Sequence, residues 1–167
     1  MTDGAIGGIC LALAVWSALV GGVFKAFSEF IMRALARTAP PVGIAAMQQI
    51  NPVVLRTEFV IAIIALAVIA PLFAAVGAVA LRGTATILLP LAAAIYITLV
   101  FLVTVLGNVP MNNCLDARDP ASPAAAEYWQ LYLRRWTRLN HLRTLGCVAT
   151  AGIYALTAAA LMSGGEI

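Results

Sequence analysis

The chain has 167 residues, of which 63% are hydrophobic and only 10% are charged. A soluble domain carries about 25% charged residues, so this chain cannot place a polar surface around an apolar core. The composition excludes a soluble enzyme, a nucleic-acid-binding protein and a disordered protein. It indicates a protein whose solvent is a lipid bilayer.

Four uncharged runs divide the chain, at residues 4–24, 59–81, 83–115 and 144–165. Each is long enough to cross a hydrocarbon core of about 30 Å, which requires roughly 20 helical residues. We therefore predict an all-α integral membrane four-helix bundle, with residues 1–167 forming a single domain. With their helical extensions, the predicted spans are residues 5–35, 53–81, 84–108 and 123–163.

Basic residues are concentrated on one side of the predicted bundle. Nine of the ten Lys and Arg residues lie in or beside the two long connections, and only Arg82 lies in the short turn between spans two and three. Because basic residues stay in the cytoplasm, both termini are predicted to lie outside and both long connections inside. The three cysteines show no metal-ligand spacing and indicate neither a disulfide framework nor a metal site.

Prolines mark the predicted helix ends. Pro40 and Pro41 end the first helix, and residues 42–50 are predicted to form a short interfacial helix. Asn51 followed by Pro52 is typical of an N-cap with proline in the first turn, which would begin span two. Residues 111–123 have turn chemistry and are predicted to connect span three to a cytoplasmic helix that continues into span four.

Three polar segments share the cytoplasmic end of the predicted bundle, at residues 47–51, 107–113 and 129–144. Polar groups at membrane depth cost several kcal/mol when they are unsatisfied. The amides of these segments therefore either bond to one another or bind something.

A helical wheel at about 100° per residue separates the side chains of the last segment. One face, predicted to look into the bundle, carries Trp129, Tyr132, Trp136, Asn140, Arg143 and Cys147. The opposite face, predicted to meet headgroups or water, carries Arg134, Arg135 and Arg138. His141 lies on the shoulder between the two faces, where a structural hydrogen bond and a general-base role are both open.

Two motifs in these segments resemble a known family. Residues 108–113 read N-x-P-x-N-N, and residues 136–144 read W-T-x-x-N-H-x-R-T. Together with the polar segment at 47–51, they resemble the anthrone oxygenase-like family of small four-span membrane proteins. The resemblance covers nearly the whole chain in the number and spacing of the spans.

The resemblance implies a concrete reaction. An anthrone is a tricyclic phenolic ketone with an acidic central CH₂, and its carbanion reacts with O₂ to give a hydroperoxide that loses water and leaves a quinone. The protein would supply a base, hydrogen-bond donors for the enolate and peroxide oxygens, and a flat apolar slot. No redox cofactor is required.

The residues that this reading assigns fall into two groups. The catalytic group contains the base and the groups that stabilise the oxyanions: His141, Asn140, Asn112, Asn113 and Arg143. The substrate-binding group contains Trp129, Tyr132, Trp136, Asn108, Gln48 and Glu29. Glu29 and Glu58 are alternatives to His141 as the base.

Two functions remain open at this point. The first is an oxygenase or oxidase acting on an anthrone-like phenol or quinol, and the second is a non-enzymatic bundle that binds a lipid or hydrophobic ligand or scaffolds a membrane complex. A transporter ranks last, because the sequence has no inverted repeat. The expected location is a bacterial cytoplasmic (inner) membrane. The expected partners are membrane lipid and a hydrophobic small molecule but no nucleic acid, with homo-oligomerisation left open.

Overall fold

A computed structural model describes residues 2–163, which form five helices and no strand. We number them α1 to α5: Asp3–Leu35, Pro40–Val54, Glu58–Ala80, Ala85–Asp116 and Pro123–Ser163. All except α2 are long and apolar enough to cross a membrane. The protein is therefore an all-α membrane protein, as predicted, and the short helix predicted between the first two spans is present as α2.

The predicted start of the second span is wrong. α2 continues through Asn51 and Pro52 to Val54, and α3 begins only at Glu58. Instead of capping a helix, the Asn51 amide donates to the Asp116 carboxylate at the end of α4, with Nδ2 and Oδ1 2.9 Å apart. A tertiary contact thus replaces the local capping interaction that the sequence suggested.

The predicted end of the third span is also wrong. α4 passes through Pro110 and ends at Asp116, so the turn predicted over residues 111–123 is confined to the residues after Asp116. The π-helical turn Thr104–Asn108 immediately precedes this proline. A π-turn widens the helix locally, which accommodates a residue that lacks an N–H and whose ring crowds the preceding turn.

α5 packs on α1 along much of its length and also contacts α4. Small residues allow these close approaches. A Cβ atom placed on Gly21 would lie 2.8 Å from Cβ of Cys147, and one placed on Gly146 would lie 2.9 Å from Cβ of Leu99. The contact between α5 and α1 therefore depends on a glycine of α1, and the contact between α5 and α4 depends on a glycine of α5.

The predicted division of α5 into two faces is confirmed. The six residues of the aromatic and polar face are all buried, whereas the three arginines of the opposite face are exposed. α1 carries a π-turn, Phe27–Ile31, opposite the polar part of this face. The Ser28 hydroxyl within this turn accepts a hydrogen bond from Asn140 of α5.

Candidate functional site

Residues from all five helices enclose a small cavity at one end of the protein. Its volume is about 60 Å³. It is lined by Phe24, Phe27, Met47, Ile50, Asn51, Val54, Phe59, Asn112, Trp136, Asn140 and Arg143. The lining is mainly apolar and aromatic, with three amides and one guanidinium, which is the usual composition of a small-molecule site.

Arg143 is the charged group of this cavity, and only 5% of its surface is exposed. Its Nη2 donates to Oδ1 of Asn140 at 2.6 Å, and its Nη1 lies 3.4 Å from the Thr104 hydroxyl. The guanidinium carbon lies 4.2 Å from the Phe24 ring centroid and 5.3 Å from that of Trp136. Within residues 2–163, no carboxylate lies within ion-pair distance of it.

This arrangement leaves the guanidinium partly unsatisfied. Its Nε is buried and has no hydrogen-bond partner among the described residues. Neutral oxygens and ring faces stabilise a cation, but they do not neutralise it. Because burying a charge without a counter-ion is costly, an anion placed in this cavity would be stabilised strongly.

Asn140 holds this guanidinium in place. Its Nδ2 donates to the carbonyl of Phe24 at 2.5 Å and to the Ser28 hydroxyl at 2.6 Å, while its Oδ1 accepts from Arg143. These bonds occupy both ends of the amide, which is completely buried. Asn140, predicted to donate to substrate, is therefore a positioning residue that joins α5 to the π-turn of α1.

Asn112 is the amide with a free donor. Its Oδ1 accepts from the Tyr132 hydroxyl and from Nε1 of Trp136, both at 2.8 Å. These two donors fix the orientation of the amide. In the flipped orientation the NH₂ group, which is itself a donor, would face two other donors. The NH₂ group has no hydrogen-bond acceptor in the part of the chain that the structure covers, and Asn112 lines the cavity.

Trp129, Tyr132 and Trp136 form a ladder of stacked rings along α5. Their successive ring centroids are 5.4 and 5.7 Å apart, with interplanar angles of 16° and 19°. Trp129 and Tyr132 are fully buried and do not line the cavity. Of the three rings predicted to stack on substrate, the structure thus brings only Trp136 to the cavity.

Two further predicted residues bond to the protein itself. Asn108 is buried and donates to the carbonyl of Trp136 at 3.2 Å. Gln48 donates to the carbonyls of Leu115 and Arg118 at 2.9 and 2.8 Å, where it satisfies carbonyl groups at the C-terminal end of α4. Neither residue lines the cavity.

Three predicted residues lie outside the cavity on exposed surface. Asn113 follows Asn112 by one residue, which turns it about 100° around the helix axis and away from the cavity. Glu29 forms an exposed ion pair with Lys25, with Oε2 and Nζ 2.9 Å apart. Glu58, the other carboxylate considered as a base, is exposed at the first position of α3.

His141 is exposed and lines a different groove, together with Ser28, Met32, Arg33, Ala36, Leu133 and Thr137. The reason is again rotation by one residue: because Asn140 points into the core, its successor points outward. His141, assigned to the same catalytic group as Asn140 and Asn112, therefore does not line the cavity with them.

Sequence reasoning missed Thr104, Asn51 and Asp116. Thr104 carries a hydroxyl in an otherwise apolar run, which was a signal for a buried polar partner, here Arg143. Asn51 was interpreted as a helix cap, but it lines the cavity and bonds to Asp116. No sequence pattern connects Asp116 to Asn51, because the two are 65 residues apart.

Comparison with known proteins gives one match. The family model for anthrone oxygenase matches residues 52–153, more than half of the chain, including Asn112, Trp136, Asn140 and Arg143. Of the helices that line the cavity, α1 and most of α2 lie outside the matched range. No curated protein and no solved structure matches the chain. The protein therefore belongs to the anthrone oxygenase family.

Proposed function

We propose that the protein is a membrane-embedded, cofactor-independent oxygenase acting on a hydrophobic, anthrone-like phenol, whose enolate binds between Arg143 and Asn112. One observation carries the proposal. A buried guanidinium without a carboxylate partner shares a cavity with an oriented, unpartnered amide NH₂. Together they form a preorganised site for an oxygen that becomes negative during the reaction.

The reaction begins when a base removes a proton from the central CH₂ of the substrate. The negative charge moves to the ketone oxygen, where the guanidinium of Arg143 and the NH₂ of Asn112 stabilise it. The enolate gives electrons to O₂, and a C–O bond forms at the former CH₂ carbon. Protonation gives a hydroperoxide, and loss of the remaining C–H proton with cleavage of the O–O bond releases water and leaves the quinone carbonyl.

We assign the proton acceptor to Asp116. Asp116, like His141, Glu29 and Glu58, does not itself line the cavity. Asp116 is the one carboxylate, among those within residues 2–163, that hydrogen-bonds to a residue of the cavity wall, Asn51. The proton would pass from the substrate to Asp116 through one bridging water beside Asn51, and the exposed carboxylate would release it to solvent.

A tricyclic substrate is larger than this cavity, so the cavity must open on the side formed by α2. Small-molecule pockets are about 300–1,000 Å³, several times the volume of this cavity. An apolar groove of about 360 Å³ lies on the other side of α2 and shares Ile50 and Val54 with the cavity. We propose that displacement of these two side chains joins the groove to the cavity and admits a substrate from the membrane.

The distribution of basic residues supports a proposal for the orientation in the membrane. With nine of the ten Lys and Arg residues in or beside the two long connections, we propose a bacterial inner membrane with both termini outside. The cavity then lies at the cytoplasmic end. The proposed partners are membrane lipid and the hydrophobic substrate, and self-association remains open.

The second candidate is a membrane protein that binds a hydrophobic ligand without turning it over. The saturated hydrogen bonds of Asn140 favour it, because they give this polar group a structural role. In this case the cavity would bind a phenolate, but O₂ consumption would stay at the spontaneous rate.

Oxygen uptake by the purified protein in lipid nanodiscs, with a simple phenolic anthrone, tests the proposal. We expect uptake above the spontaneous rate, and loss on the order of a hundredfold for Arg143→Gln, as for removal of an oxyanion donor. His141→Ala is the control and should retain its rate. Uptake equal to the spontaneous rate, with anthrone still bound, would favour the second candidate instead.

A further inference from the structure

The groove that contains His141 is a second feature of the protein with the properties of a binding site. It measures about 230 Å³ and lies between the end of α1 and the cytoplasmic part of α5. Met32, Ala36 and Leu133 supply apolar walls, whereas Arg33, Thr137 and His141 supply hydrogen-bond donors. The cavity that contains Arg143 and this groove have no lining residue in common.

The donors of this groove are not used by the protein. The Thr137 hydroxyl is buried and has no hydrogen-bond partner in the structure as described. Arg33 forms no ion pair within residues 2–163, because the nearby Glu29 is paired with Lys25. A buried unsatisfied hydroxyl is costly, so a ligand that accepts a hydrogen bond from Thr137 would be favoured.

The charged side chains around the groove are mainly basic, and the nearby Glu29 is paired with Lys25. Arg33 lies near the end of α1 and Arg37 in the turn after it, and Arg134 and Arg138 are exposed on α5 next to Leu133 and Thr137. The groove therefore has a positive potential and fits an anion, and a guanidinium matches the oxygens of a phosphate in a bidentate manner.

The depth of the groove points to a lipid. On α1, Ser28 and Arg33 lie four and nine residues beyond the uncharged run that ends at Phe24, which is about 6 and 14 Å at 1.5 Å per residue. On α5, Thr137 and His141 lie a similar distance before the uncharged run that begins at residue 144. The headgroup layer is about 5–8 Å thick on each side of the hydrocarbon core. Ser28 and His141 therefore lie within this layer, and the long side chain of Arg33 can extend back toward it from the water side.

We propose that this groove binds the phosphate of an anionic phospholipid, with Arg33 and His141 at its rim and the Thr137 hydroxyl at its floor. The acyl chains then continue along the apolar walls toward the hydrocarbon core. Basic pockets between membrane-spanning helices on the cytoplasmic side bind anionic headgroups in this manner. The proposal is independent of the oxygenase reaction.

Native mass spectrometry of the full chain, purified in detergent, measures the binding of individual lipids. We expect phosphatidylglycerol to bind at least tenfold more tightly than phosphatidylcholine of the same chain length. Arg33→Gln should reduce this preference about tenfold, which corresponds to one charge-assisted hydrogen bond. Arg82→Gln removes a charge from the opposite end of the protein and should leave the preference unchanged.

Thr137→Val removes only the hydroxyl and tests the floor of the groove separately. We expect it to weaken phosphatidylglycerol binding severalfold without lowering the melting temperature. Soluble glycerol 3-phosphate, added in excess, should not displace the lipid. Equal binding of the two lipids, equal effects of the Arg33 and Arg82 substitutions, or displacement by glycerol 3-phosphate would each overturn the proposal.

Discussion

Substitution of Asn140 by alanine tests the polar contact between α1 and α5. The amide donates to the Phe24 carbonyl and to the Ser28 hydroxyl and accepts from Arg143, and it is completely buried. Alanine removes all three bonds. The matched control is Asn113→Ala, which changes an exposed amide of α4 that lies outside the cavity.

The expected loss of stability can be worked from these bonds. Hydrogen bonds between membrane helices contribute about 0.6 kcal/mol on average and up to about 1.7. Two such bonds to α1 therefore account for about 1–3 kcal/mol. Asn140 Oδ1 also accepts the shortest hydrogen bond of Arg143. Its loss adds about 1–3 kcal/mol, because a buried donor is left unsatisfied. We expect a total of about 2–6 kcal/mol.

Reversible unfolding in mixed micelles, followed by tryptophan fluorescence and circular dichroism, measures this difference. Asn140→Ala should lower the free energy of unfolding by the stated amount, whereas Asn113→Ala should change it by less than about 0.5 kcal/mol. If the two variants unfold alike, Asn140 does not join the helices as described and the reasoning is refuted.

Three further predictions concern helix contact, the charge of the cavity and the orientation of its amide. Gly21→Ala places a methyl group 2.8 Å from a side-chain carbon of α5 and should destabilise the protein by about 1–3 kcal/mol, whereas Gly22→Ala, with open space around it, should not; thermal unfolding distinguishes them. Thr104→Asp brings a carboxylate to the buried guanidinium, so oxygen uptake should fall at least tenfold while Thr104→Val retains most of it; an unaffected Asp variant would argue against an anion site. Tyr132→Phe removes one of the two donors that orient Asn112, and kcat should fall severalfold with KM unchanged; a change in KM alone would indicate a different role.

The number of spans could be predicted because it depends on the lengths of the uncharged runs along the sequence. A bilayer requires long uncharged segments, and the four runs of the sequence correspond to α1, α3, α4 and α5. The buried face of α5 could be predicted for a similar reason. One regular helix places its residues by a fixed rotation, without reference to any other helix.

The helix ends could not be predicted, because they depend on contacts between distant segments. Asn51 and Pro52 form a good local capping sequence, yet the bond to Asp116 keeps Asn51 within α2. Pro110 is a helix breaker by itself, but the π-turn before it allows α4 to continue. At Asn51 a capping preference of about 1 kcal/mol is outweighed by a tertiary contact. At Pro110 a helix-breaking preference of about 3 kcal/mol is offset by a change in local helix geometry.

The candidate site was predicted in part. The motifs identified Asn112 and Arg143, which line the cavity, but they also contain Asn113 and His141, which are exposed. Neighbours in sequence are not neighbours on a helix surface, and only the wheel position of His141 signalled its exclusion. The hydrogen bonds that saturate Asn140 could not be predicted from the sequence, because two of the three partners lie on α1.

A comparison of two single variants, Asn112→Ala and Asn113→Ala, tests the central claim most directly. The two amides are adjacent in sequence, but only Asn112 lines the cavity. With anthrone in lipid nanodiscs, oxygen uptake by Asn112→Ala should fall on the order of a hundredfold, and Asn113→Ala should match the unsubstituted protein. Equal uptake by the two variants would contradict the assignment of this cavity as the site of the reaction.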